Sequence, residues 1–64
     1  MKVFELMNVL CTGQRVLILE LGGKSHFVHP DSVFTKENTP LGNTDIIRVR
    51  LDADGWGPIV EVHT

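Results

Sequence analysis

The stretch Ile47–Val62, IRVRLDADGWGPIVEV, decides the fold. On both sides of Asp54-Gly55 apolar residues recur at every second position, the period of a strand with one buried face. Asp-Gly suits the two central positions of a type I′ turn, where φ must be positive twice. With Asp54 and Gly55 there, Val49 opposes Val60, Ile47 opposes Val62 and Leu51 opposes Pro58, all facing inward. Arg48 then opposes Glu61 on the other face as an opposite-charge pair. A slip of one residue would set inward residues against outward ones throughout, so the pairing is self-consistent. Pro58 has no N–H for a neighbouring strand and predicts an edge position, at least at the start of its strand.

Working back toward the N-terminus, Lys36–Thr44 is polar, holds Pro40 and Gly42, and predicts a surface loop. Pro30–Phe34 predicts a turn or one helical turn, capped by Asp31 or Ser32, with Val33 or Phe34 in the core. The run Val16–Leu19 within Gln14–Leu21 is too short for a helix and rich in β-formers, which predicts a strand buried on both faces. Gly22-Gly23 fits a two-residue type I′ turn that sets Leu21 against Lys24, Leu19 against His26, Ile18 against Phe27, Leu17 against Val28 and Val16 against His29. One face is then Val16, Ile18 and Phe27, and the other Leu17, Leu19 and Val28.

From Val3 to Leu10 only Glu5 and Asn8 interrupt the apolar residues, and with Lys2 and Thr12 they fall three or four apart as one narrow polar stripe. That spacing predicts a helix apolar around most of its circumference, ended at Thr12-Gly13 by a left-handed glycine and without a good N-terminal cap. The expected architecture is α+β: an N-terminal helix followed by two β-hairpins forming a mainly antiparallel sheet, residues 1–64 making one small domain.

Val, Leu, Ile and Phe make up 22 of 64 residues, enough for a core. A chain this short buries only about 60% of its unfolded surface, so such folds are often stapled. The single Cys11 excludes an internal disulfide, and paired Cys or His of the common metal frameworks are missing. One helix for two apolar sheet faces predicts a homo-oligomer, most simply a twofold dimer. A lone cysteine, no basic start followed by an apolar run, and no membrane-length apolar segment predict a cytoplasmic protein without a membrane partner.

Candidate sites are few. Asp52, Asp54, Gly55 and Glu61 fall at four positions of a calcium-binding EF-hand loop, but Arg50 stands where its first oxygen ligand belongs, and strands flank it. His26 and His29, three apart on a strand, point to opposite faces and cannot share a metal. With His63 they read as one partly buried and two surface imidazoles, and Cys11 as a small buried hydrophobe. No metal site is expected. No nucleophilic Ser, Asp and His set follows from spacing, and Gly22-Gly23-Lys24 lacks the long glycine-rich loop that cradles phosphate, so the expectation is a non-enzyme without a cofactor.

Trp56, between Gly55 and Gly57 at the end of a hairpin, either meets a partner or caps the end of the core. Arg48 and Arg50 form a local basic pair offset by Glu61. Trp56, Arg48 and Arg50 are the candidate binding residues. With net charge −2 the chain has no surplus to draw it to polyanions, and nucleic acid is not an expected partner.

Met1, Lys2, Val3, Glu5, Leu6 and Leu10, followed by the strand Val16–Leu19 and a Gly-Gly turn, resemble the opening of small phage and prophage accessory proteins of the MKVxELxxxL type. The resemblance covers roughly the first 25 residues, and Phe4 departs from the cap residue usual there. It implies a mobile-element origin and a short accessory protein that binds and inhibits a host or anti-phage defence protein in the host cytoplasm. Two other roles follow: an oligomer that sequesters a nucleotide signal at a subunit junction near Arg48, Arg50 or Trp56, or a nucleic-acid accessory protein.

Overall fold

The computed structural model describes all 64 residues. One helix, α1 (Val3–Val9), precedes strands β1 (Arg15–Leu19), β2 (Ser25–Val28), β3 (Arg48–Asp54) and β4 (Gly57–His63), with a 3-10 turn at Val33–Thr35. The protein is α+β, with one four-stranded sheet in the order β2-β1-β4-β3. β1 and β2 pair antiparallel, as do β3 and β4, but β1 and β4 run parallel. The sheet is therefore mixed, a correction to the mainly antiparallel expectation. Local turns set the antiparallel pairs, whereas the parallel ladder forms only after residues 29–47 have carried the chain from one edge of the sheet to the other.

Parallel pairing sets Val16 beside Val60 and Ile18 beside Val62. These four side chains, with Val3 and Met7 of α1, form the buried core, and Leu6, Leu10, Val28, Leu41 and Ile46 pack around it. The opposite, open face carries Phe27, Leu17, Glu61 and Arg50 in one cross-strand row, with no helix laid over it. β1 is thus buried on one face and half-buried on the other, not enclosed on both. No helix is long and apolar enough to cross a membrane.

The helix start has a tertiary solution. Lys2 N–H donates to Glu5 Oε1 at 2.7 Å, one arm of a capping box. The Val3 and Phe4 N–H groups donate to the carbonyls of Thr44 and Gly42. Residues 42–44, far along the chain, thus occupy orphan donors that a helix of seven residues would otherwise leave to water. At its end Leu10 is already extended, and Gly13 has no positive φ, so the left-handed glycine stop is not used.

Both turn registers differ from expectation. Between β1 and β2 only Gly23 has positive φ, +92°. Gly23 N–H donates to Glu20 O and Glu20 N–H to Lys24 O, leaving Leu21–Gly23 as a three-residue loop. That one extra residue pairs Val16 with Val28, Leu17 with Phe27 and Ile18 with His26, and moves Phe27 onto the open face, where it is exposed. Between β3 and β4 the turn is Gly55-Trp56, one position later than Asp54-Gly55. Val49 opposes Val62, Leu51 opposes Val60, Arg48 opposes His63 and Arg50 opposes Glu61. The slip is two residues, so every side chain keeps its face.

Four smaller corrections have physical causes. Val49 and Leu51 take the covered face but lie past the reach of α1, and all of β3 is exposed. The Arg48–Glu61 pair does not form, since the two-residue slip sets Arg48 opposite His63; Glu61 Oε1 lies 2.9 Å from His63 Nε2. β4 is central, with Pro58 accommodated because the β1 ladder begins one residue later at Ile59. Ser32 caps the 3-10 turn as expected, yet Val33 and Phe34 are exposed and Thr35 is the buried residue, its hydroxyl donating to Ser32 O at 3.1 Å.

Candidate functional site

The β3–β4 turn carries Trp56, more exposed than any phenylalanine of the chain, on a backbone held by side chains from the start of β1. Parallel pairing opposes Arg15, the first residue of β1, to Ile59 on the open face, two residues past Gly57. From there its guanidinium reaches across the turn. Nη1 donates to Asp54 Oδ2 at 2.9 Å, Nη2 donates to Asp54 Oδ1, and Nη2 also donates to Gly57 O at 2.9 Å. The fork matches a carboxylate with two parallel bonds, a geometry lysine could not reproduce.

Asp54 Oδ1 accepts a further bond from Trp56 N–H at 2.8 Å, the side-chain turn typical of aspartate. Gln14 Nε2 donates to Pro58 O at 3.2 Å. Gly57 has φ of +127°, a conformation glycine adopts without strain. The turn is thus held from the start of β1 by two side chains, while the Trp56 side chain makes no polar contact and the residue is 88% exposed. The alternative in which its indole caps the core is not realised.

Hydrogen bonding from Arg15, then the Trp56 N–H, hold the Asp54 carboxyl at about 2, below its ordinary 3.8. Because the folded value is depressed, the stabilisation is complete above the ordinary value and is lost as pH falls from about 4 through about 2. Asp45 is lowered in the same direction by its bond to Lys2. The Asp54→Asn variant is therefore expected to melt below the wild type at pH 7 and to converge on it near pH 2. Melting temperatures measured across that range check this; a gap that stays constant down to pH 2 contradicts the clamp.

The other sequence candidates lie apart from the turn. Arg50 and Arg48 are four and six residues up β3 from Asp54, roughly 13 and 20 Å away at about 3.3 Å per residue. They stand on the open face beside Glu61 and His63 and do not join Trp56 in one site. Of the calcium-loop residues, Asp54 is engaged by Arg15, Glu61 by His63, and Asp52 accepts the Ala53 N–H. His26 and His63 are both half-buried and His29 is exposed, one more half-buried imidazole than expected. Cys11 is exposed, not buried.

Arg15 was beyond sequence reasoning: 39 residues separate it from Asp54, and only the parallel ladder joins them. A cleft of about 450 Å³ lies at the β2 side of the sheet, lined by Glu20, His26, Phe34, Thr39 and Leu41 among others. His26 Nε2 lies 2.6 Å from Glu20 Oε2 there. Its lining includes no arginine or lysine, and its one histidine faces Glu20.

No protein-family model, curated protein or solved structure matches the chain.

Proposed function

We propose that the chain is a non-enzymatic accessory protein of phage type that binds and inhibits a host or anti-phage defence protein in the host cytoplasm, with Trp56 as its central contact. The observation that carries this reading is the 88% exposure of Trp56 on a turn whose backbone is already immobilised by Arg15 and Asp54. Tryptophan is the residue most often found at the energetic centre of protein interfaces, and a contact fixed before binding loses little entropy on association. The side chains of Gln14, Arg15 and Asp54 beside it are engaged in holding the turn, so what the tip offers is the indole itself. The opening residues Met1–Leu10, with their resemblance to phage accessory proteins, support the origin.

Bound to a resin, the chain is expected to retain one protein from bacterial lysate, and that protein, once purified, to lose activity on titration with the chain. Trp56→Ala should weaken the interaction roughly thirtyfold or more, as for hot-spot truncations of about 2 kcal/mol. Its melting temperature should stay near that of the wild type, because the ring packs against little. An affinity unchanged by Trp56→Ala, or a captured protein whose activity the chain leaves intact, rejects the reading.

A further inference from the structure

β3 is an edge strand, paired with β4 on one side and with nothing on the other. All seven of its residues are exposed. Long exposed edges are templates for another strand, and proteins usually blunt them with proline, a bulge or unmatched charge. β3 has no proline, and its charges are arranged symmetrically. Arg48, Val49, Arg50, Leu51, Asp52, Ala53 and Asp54 read as two cations and two anions at equal distances from Leu51, with apolar residues between them. Arg48, Arg50 and Asp52 have no ion-pair partner within the chain. Leu51 is 83% exposed on the opposite face.

We infer that β3 pairs antiparallel with β3 of a second copy, the twofold axis passing through Leu51. Pro58 opposes Ala53 and has no N–H, so the backbone groups of Ala53, and by alternation those of Leu51 and Val49, point away from β4. With the axis at Leu51, these same residues meet across it: Leu51 faces the partner's Leu51, and Val49 faces the partner's Ala53. On the open face Arg50 faces the partner's Asp52, and Arg48 faces the partner's Asp54, which keeps its bond to Arg15. Symmetry repeats both pairs, so every direct charge contact is between opposite signs.

No neighbouring register does this. A slip of two residues sets Arg50 on the partner's Arg50, or Asp52 on the partner's Asp52; a slip of one sets charged residues against apolar ones. The same charges would disfavour a foreign strand, so the edge is specific for its own copy. The joined sheets have eight strands, and the two Trp56 turns stand at opposite ends of the seam, roughly 25 to 30 Å apart at about 3.3 Å per residue. The pairing leaves Trp56 free and does not depend on what Trp56 binds.

Sedimentation equilibrium tests it. The wild type should approach twice 7.1 kDa as concentration rises through the micromolar range, as for a small interface. Arg50→Asp alone and Asp52→Arg alone should each weaken self-association by at least about tenfold, because like charges then face each other. Mixed in equal amounts, the two single variants should form a heterodimer, since positions 50 and 52 are then both acidic on one edge and both basic on the other, while Arg48 still faces Asp54. Circular dichroism of each variant verifies the fold, which these exposed side chains do not support. A wild-type mass of 7.1 kDa throughout, or a dimer that both single reversals leave intact, overturns the proposal.

Discussion

Replacing Ile18 by alanine is expected to lower the melting temperature by roughly 10 to 20 °C, and more if the cavity cannot collapse. Ile18 has no exposed surface and sits between Val16, Val62 and the helix residues Val3 and Met7. Truncations of this kind cost about 2 to 5 kcal/mol, the lost transfer energy plus the cavity. A chain of 64 residues holds on the order of 3 to 10 kcal/mol in total at the usual stability per residue. One core side chain is thus a large share of the whole. Ile18→Val should cost only about 0.5 to 1.5 kcal/mol, and Val9→Ala, at an exposed helix position, about 0.5 kcal/mol or less. Thermal melts of the three variants check the order, and a fall of less than about 5 °C for Ile18→Ala would place the core elsewhere.

The second large effect comes from a residue with no side chain. Gly42 is buried in the segment that covers the sheet, and a Cβ built on it would lie 1.9 Å from Lys36 O and 2.8 Å from Thr35 O. Both neighbours are backbone, so no side chain can swing aside. Gly42 also accepts the Phe4 N–H at 2.9 Å and donates its own N–H to Thr39 Oγ1 at 3.0 Å. Shifting Gly42 therefore loosens the helix start and the loop together. Gly42→Ala is expected to destabilise by on the order of 3 kcal/mol or more, comparable to the core truncation. Gly13→Ala and Gly55→Ala, where the added carbon meets nothing within 4 Å and φ is not positive, should melt close to the wild type. If all three glycine variants melt alike, the contact between residues 36 and 42 is not as described.

These two residues separate what was legible from what was not. Ile18 is recognisable from its place in an apolar run with β-forming neighbours. Gly42 sits in a polar stretch with Pro40, which reads as a surface loop, and nothing in its neighbours announces that α1 and Lys36 close around it. Likewise Trp56 stands out by its type and its glycine neighbours, whereas the Arg15 that holds its turn looks like any strand-leading cation.

The amino-acid sequence by itself determined the α+β class, the helix near the N-terminus, and which residues of Val49–Val62 share a face. Side-chain alternation is a property of each strand alone, so an error of two residues in the β3–β4 turn left those faces intact. Only the tertiary structure decided the registers, the parallel β1–β4 ladder and the Arg15–Asp54 clamp that depends on it. A turn's length is settled by one residue's choice of φ, as at Gly23, and an odd error moved Phe27 from the core to the open face. Which strands become neighbours is settled by how residues 29–47 cross the sheet, a closure over many residues with no local period to betray it. The same crossing leaves β3 outside the cover of α1, which is why Val49 and Leu51, inward by pattern, remain exposed at an edge.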